Sequence, residues 1–472
     1  MQTLNKHVGL FIDYYELTMA QGYLLGGKED CRVTFDYFYR KNPYGGGYTL
    51  FVGLEDILEL ILNFRFKKED LNYLNKAGFD KRFLEYLTDF RFIGDIWSCK
   101  EGEVIFPNEP IVRVEGNIIE AQLIETILLN FLNFETLIAT KAARIRQMVG
   151  DQIVTDFGLR RAQGLGGIHA SRAAIIGGFD STSNVYSTFS FGLHPSGTQA
   201  HSWVQSYENE LEAFRSFASI YPDNCVLLVD TYDTMNVGIP NAIRVGKEME
   251  AEGYRLKGIR LDSGDLAYLS KKARQMLDDT GLNYVKIFAS NQLDEYLIKS
   301  LKTQGACIDV YGVGTKLITG KDDAALDGVY KLSESDGKPK MKTTDSHEKM
   351  TLPGRKKLFR ILNGDDKFYA DAIALVEEKD IGLIQHPFIS RKHMDVSHMK
   401  KEELLYKVLD RGKRITVSRK PGEIAQYAQE RLNQLPEEHK RFENPHAYKV
   451  GISEKLLILR DKIVNSTNQK NG

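Results

Sequence analysis

The chain holds 472 residues, 42% hydrophobic and 27% charged, with 63 Lys and Arg against 64 Asp and Glu. That length exceeds one core and predicts two domains. The charge balance excludes a general nucleic-acid binder, which carries a basic excess. Cys31, Cys99, Cys225 and Cys307 are scattered without zinc spacing, and the chain opens with no apolar signal segment, so a reduced, cytoplasmic protein is expected.

In chain order, DYYELTMAQGYLL reads as a helix with Asp13 as N-cap and Gly26 as its stop, and CRVTFDYFYR alternates as a strand does. NPYGGGYTLFVG is a glycine loop. Helices follow in LEDILELILNF, KEDLNYLNKAG and FLEYLTDF, and EGEVIFPNEPIVRVEG predicts a small β-layer. The apolar run IIEAQLIETILLNFLNF is interrupted by Glu120, Glu125 and Glu135, which makes it part of a long amphipathic or buried helix to Val149 and not a membrane span.

From residue 151 to about 330 apolar runs alternate with amphipathic helices: IVTDFG, CVLLVDTYDT, KGIRLDSGD, VKIFASN and DVYGVGT, with NAIRVGKEMEAEG, LAYLSKKARQML and LDEYLIKSL between them. This alternation predicts parallel strands. Each run ends in polar residues: Asp156; Asp230 and Asp233; Asp262 and Asp265; Ser290 and Asn291; Thr315. Polar loops after five strands fit a β/α barrel, which opens all of them on one face, better than an open sheet with one switch point. Further on, KLSESDGKPKMKTTDSHEKMTLPGRKKLFR reads as a basic hairpin, either a solvated loop or a phosphate-binding lid. EELLYKVL, IAQYAQERLNQL and SEKLLILRDKI read as helices, and STNQKNG as a disordered tail.

No P-loop, complete dinucleotide fingerprint or HExxH occurs. GVGTKL suits a phosphate, with Gly312 and Gly314 freeing backbone N–H groups and Thr315 adding a hydroxyl, although a tight turn needs glycines too. After the first run come Phe157, an aromatic face, and Arg160 and Arg161, which fit an anion or a surface ion pair. Arg260 and Asp262, two apart on a strand, point the same way into the barrel mouth. Asp230 and Asp233 suit sugar hydroxyls or a hydrated Mg²⁺. GTQAHSWV places His201 at the start of the helix that carries Leu211, Phe214, Phe217 and Ala218, where the positive helix end favours a neutral imidazole or a bound anion.

The ordered set DYYELTMAQGY, DFGLRRAQG, GGFDSTSNV, GTQAHSWV, VDTYDT, GIRLDSGDL, SNQLDEY, DVYGVGT with GVYKL, and TLPGRKK resembles the nicotinate phosphoribosyltransferases. The resemblance implies a type II phosphoribosyltransferase fold, an irregular β/α barrel packed on an α/β sandwich domain. The sandwich is expected over 1–125 with 385–472, and the barrel over 126–384. It also implies a homodimer with shared sites, making nicotinate mononucleotide and diphosphate from nicotinate and 5-phosphoribosyl 1-diphosphate in NAD salvage, with ATP as co-substrate and Mg²⁺ as cofactor.

By the same resemblance, Tyr15 of a partner and Phe157 sandwich the pyridine, and Arg260 and Thr198 hold its carboxylate. Gly312, Gly314 and Thr315 cradle the 5-phosphate, with Arg160 near either anion, and His201 becomes a phosphohistidine. Asp262 and Asp230 stabilise positive charge on ribose, and no protein metal ligand is assigned. Nicotinamide phosphoribosyltransferases share the core, and Asp180 and Ser181 lie where an amide would be told from a carboxylate. A barrel lyase or isomerase acting on a phosphosugar is the other alternative.

Overall fold

The alternating run CRVTFDYFYR forms a strand, Arg32–Tyr39, whose seven residues after Arg32 are all buried. It is covered on both faces, as β-branched and aromatic side chains on a central strand allow. In the computed structural model, which describes residues 6–342, 351–387, 389 and 391–471, this strand lies inside a seven-stranded sheet. Val112–Asn117 and Gly328–Ser335 flank it, both antiparallel, with Asp36 opposite Arg113 on one side and Lys331 on the other. A second, six-stranded sheet is centred on Phe368–Leu375, which pairs antiparallel with Lys356–Leu362 and parallel with Val450–Ser453. The helices Tyr14–Leu25, Leu54–Leu62, Lys68–Lys76 and Lys81–Thr88 occur where expected, and Ile57, Leu58 and Ile61 give the second of these its buried stripe.

These elements belong to one unit, Met1–Thr140 with Ala325–Gly472, and Lys141–Ala324 forms another. The barrel unit is therefore shorter than the expected 126–384. Gly328–Ser335 joins the seven-stranded sheet and Lys356–Leu375 builds the centre of the six-stranded one, so these residues leave the barrel. At the other end, the apolar pattern from Ile118 runs through Ile118–Leu123 and Glu125–Val149 with no signal where the unit changes. That stretch is long and apolar enough to cross a membrane by composition, yet 72% of its most apolar window is buried within the protein, as a core helix requires.

The first unit also buries charge. Arg360, fully enclosed, pairs with Asp371 at 2.6 Å and Glu103 at 2.6 Å while its guanidinium lies over Phe368 and Phe106. Such a cluster is tolerable only because each charge is paired and hydrogen-bonded. Two expectations fail in this unit. EELLYKVL is not a helix but contributes to strands Lys400–Glu403 and Tyr406–Asp410, and the last helix runs Glu454–Asn471 through the expected disordered tail. The TTDSHEKM part of the basic hairpin lies outside the described residues, and the remainder contributes to strands Gly328–Ser335, Lys338–Pro339 and Lys356–Leu362.

In the second unit all six strands are parallel: β1 (Ile153–Asp156), β2 (Ser181–Thr182), β3 (Val226–Leu228), β4 (Gly258–Leu261), β5 (Lys286–Ala289) and β6 (Val310–Val313). The order β2-β1-β6-β5-β4-β3 is the cyclic order of a barrel, with the last strand returning to the first and no ladder between β2 and β3. β2 is too short to have been legible as a run. The irregular β/α barrel is therefore open on one side, and the chain between β2 and β3 carries helices Val185–Phe191, His201–Gln205 and Glu210–Ile220.

Candidate active site

The C-terminal ends of β3, β4 and β5 converge on one hydrogen-bonded group. Arg260 Nε donates to Ser290 Oγ at 2.9 Å, Nη1 to Thr198 Oγ1 at 2.9 Å and Nη2 to Asp262 Oδ1 at 2.8 Å. Ser290 also donates to Asp262 Oδ1. Three of the five guanidinium N–H groups are thus fixed, and two remain for a ligand. The guanidinium stands 5.2 Å from the centre of the Phe157 ring. Immediately past β5, Asn291 and Gln292 take φ of 91° and 52°, a left-handed pair that non-glycine residues adopt at a cost and that is typical of functional loops.

Phe157 is aimed from below. Asp156 is wholly buried and accepts hydrogen bonds from Gly158 N (2.7 Å), Ser171 Oγ (2.8 Å) and Thr182 Oγ1 (2.7 Å), which lock the turn that carries the ring. Burial pushes this carboxyl up, against the three hydrogen bonds. A Cβ on Gly312 would lie 2.5 Å from two Phe157 ring carbons. Gly312 therefore serves as the floor for the ring. It lies inside β6, paired with Thr155, so its backbone is spent on the sheet and not on a phosphate. Gly314 precedes the four-residue helix Thr315–Ile318, and Lys316 is tied to Asp294.

His201 meets the carboxylates. Its Nε2 is 3.9 Å from Asp230 Oδ1 and 3.9 Å from Asp262 Oδ2, and its Nδ1 is 3.1 Å from Thr231 Oγ1. Asp230 is held through Oδ2 by Asp262 N (2.9 Å) and Ser263 Oγ (2.6 Å), while its buried Oδ1 has no hydrogen-bond partner among the described residues. The helix that starts at His201 ends at Gln205, and the apolar residues from Leu211 belong to a separate helix, Glu210–Ile220, capped by Asn209. Five residues carry little macrodipole. The surroundings of His201 are set by Thr231 and two carboxylates, not by a helix end.

The structure thus joins His201, Asp230, Asp262, Arg260, Thr198, Phe157 and Gly312. Arg160 is exposed in the turn Leu159–Arg161. Tyr15 belongs to the other unit, half exposed on Tyr14–Leu25, with burial and then Glu125 raising its phenol. Asp233 and Asp265 are helix caps, accepting from Met235 N and Asn236 N and from Tyr268 N. Asp180 accepts from Val154 N at 2.8 Å and pairs with Arg146, while Ser181 Oγ lies 2.9 Å from Thr155 Oγ1.

Ser290 follows a strand end and is legible there as a polar residue without a task, whereas Thr231, between Asp230 and Asp233, carries no signal of its own. Gln199, 5% exposed with both amide atoms unpartnered among the described residues, had no signal in the sequence.

Three stretches match known families: the nicotinate phosphoribosyltransferase (NAPRTase) N-terminal domain over 10–133, the NAPRTase family over 153–375 and the NAPRTase C-terminal domain over 355–460. The chain is 46% identical to nicotinate phosphoribosyltransferase of Bacillus subtilis over 95% of its length and 93% of the relative's. It is 35% identical to that of Dictyostelium discoideum over 95% and 87%. The crystal structure of human nicotinic acid phosphoribosyltransferase superposes with a TM-score of 0.86 at 30% identity, covering 95% of this chain and 99% of that one. With its type II fold and ordered motifs, the chain belongs to the nicotinate phosphoribosyltransferase family.

Proposed function

We propose that the protein transfers the phosphoribosyl group of 5-phosphoribosyl 1-diphosphate to nicotinate, giving nicotinate mononucleotide and diphosphate in NAD salvage. The observation that carries this reading is Arg260. A guanidinium held on three sides above an aromatic ring, with two N–H groups left, suits a planar carboxylate bonded in a forked way. Phe157 takes one face of the pyridine and Tyr15 of a second copy the other. Thr198 fixes the fork. Nicotinamide fits less well, because both N–H groups left on Arg260 donate, and an amide can accept from them through its oxygen alone.

In the reaction the C1–O bond to diphosphate breaks and the C1–N bond to the pyridine nitrogen forms. Asp230 and Asp262 face the positive charge that develops on ribose between these events. The pyridine nitrogen is unprotonated near neutral pH, so no base is required. The 5-phosphate is assigned to the β6 turn at Gly314 and Thr315, with Arg160 beside the anions. Asp230 Oδ1, buried without a hydrogen-bond partner among the described residues, and Asp262 Oδ2 form a hard oxygen set that fits Mg²⁺. When bound there, the ion offsets phosphate charge.

ATP is the co-substrate, and His201 accepts its γ-phosphoryl group as the bond to ADP breaks. Phosphohistidine then acts away from C1 by favouring a closed loop. The ligase-type coupling, the homodimer and a cytoplasmic site belong to this proposal. The dimer is supported by apolar side chains left bare on helix Val185–Phe191, Phe189 at 87% exposure among them, and on the Tyr15 helix. Four free thiols support a reducing compartment. Incubation with γ-labelled ATP tests the coupling: the wild-type chain should take up acid-labile label that His201→Ala does not, and the variant should keep slow ATP-independent transfer. Equal labelling of the two proteins removes His201 from the scheme.

A further inference from the structure

The loop EEHKRFENPH, residues 437–446, has no part in the barrel chemistry. It belongs to the first unit, between helix Pro421–Gln434 and strand Val450–Ser453. Its two ends are drawn together: His446 N donates to Glu438 O at 2.9 Å, and His439 Nδ1 lies 2.6 Å from His446 O. The His439 ring is buried at 6% exposure, meets Tyr448 edge-on at 5.3 Å and lies beside the His446 ring, the centres 5.2 Å apart. A Cβ on Gly47 would stand 2.3 Å from His439 O, so the glycine lets the loop seat closely on the turn below it.

Within this loop a ligand atom of each of Glu438, His439 and His446 lies within 4.8 Å of the other two. A carbonyl oxygen only accepts, so His439 Nδ1 carries the proton and Nε2 keeps its lone pair. An imidazole oriented through its second nitrogen by a backbone carbonyl is the arrangement that metal-binding histidines need. The donor set, two imidazoles and one carboxylate, selects a divalent cation of the zinc type over Mg²⁺ or Ca²⁺, which favour oxygen alone. Tetrahedral zinc brings its ligand atoms to about 3.3 Å of one another. His446 is exposed and Glu438 half-buried, so rotation about their side-chain bonds closes the remaining gap without moving the buried ring.

We propose that Glu438, His439 and His446 bind one zinc-type divalent cation and that this ion fastens the 438–446 loop. Three protein ligands leave a fourth position for water, which reaches it through the 860 Å³ cavity that His446 also lines.

The test uses the full chain, stripped of metal by a chelator and titrated with Co²⁺, whose four-coordinate complexes absorb in the visible. One equivalent should develop this absorption, Zn²⁺ should displace it, and Zn²⁺ should raise the melting temperature. His446→Ala and Glu438→Gln should each weaken Co²⁺ binding by more than about tenfold and abolish the rise in melting temperature. His398→Ala, at an exposed histidine outside the loop, should leave both unchanged. The metal-free melting temperature of each variant, compared with metal-free wild type, separates loss of binding from loss of fold. His439 is not substituted, because its buried ring also packs the loop. No Co²⁺ absorption, or absorption equally strong in His446→Ala and Glu438→Gln, overturns the proposal.

Discussion

Arg260 uses its guanidinium twice, once to be held and once to hold. Ser290, Thr198 and Asp262 take three N–H groups, which removes the rotational freedom that a free arginine would lose on binding substrate. The ring beneath it is fixed less visibly. Gly312 gives the Phe157 ring its place because a side chain there would occupy the same volume. Gly312→Ala should therefore displace the ring, costing about 1–3 kcal/mol of stability as other overpacked core sites do. It should also raise the KM for nicotinate at least about tenfold. Denaturant unfolding and steady-state kinetics on the same preparation check the pair. An unchanged KM would show that Phe157 does not touch the base.

At the scale of elements, the Tyr14–Leu25 helix carries a buried carboxylic acid. Glu16 is 0% exposed, accepts from Thr126 Oγ1 at 2.5 Å and leaves Oε2 unpartnered among the described residues, and burial pushes its carboxyl up to about 8. An unfolded glutamate loses its proton near pH 4.3. Between that value and about 8 the folded chain binds more protons than the unfolded one, so this group's contribution is full at low pH and is lost as pH rises through the window. Glu16→Gln keeps an acceptor for Thr126 and removes the titration. Its stability relative to wild type should improve steadily from about pH 5 to about pH 8 in a denaturant series. A constant difference across that range would contradict the assignment.

Elements were legible where one rule governed a stretch. Barrel strands carry apolar runs that end in polar residues because both faces are covered and the loops open on one side. Arg260 and Asp262 could be paired from spacing alone because two residues along a strand share a face. EELLYKVL misled because its leucines fit a helical period, while tertiary pairing placed Leu409 in a strand and Leu404 and Leu405 in the link between two strands. Asp233 and Asp265 looked like ligand residues because a cap and a ligand are the same side chain in the same strand-end loop, and only the hydrogen bonds separate them. Asp156 was visible as a strand end, but its hold on Ser171 and Thr182 joins residues 15 and 26 positions away, beyond any local pattern.

For the whole molecule, the proposed dimer makes the sharpest statement about Tyr15 and Arg260. If each site takes Tyr15 from one copy and Arg260 from the other, Tyr15→Ala and Arg260→Ala chains are each nearly inactive alone. Co-expressed and purified together, half the dimers are mixed and each mixed dimer holds one intact site, so activity should return to about a quarter of wild type. No recovery in verified mixed dimers would place both residues in one chain's site or outside it.

A carboxylate pocket at the mouth of the barrel is the central feature of the site. Its most direct test is kcat/KM for nicotinate and for nicotinamide, each with 5-phosphoribosyl 1-diphosphate, Mg²⁺ and ATP, on one preparation of the wild-type chain. A site whose half-buried cation awaits a carboxylate should favour nicotinate by at least about 100-fold. Equal or better use of nicotinamide would contradict the reading of Arg260, and with it the assignment of this pocket to nicotinate.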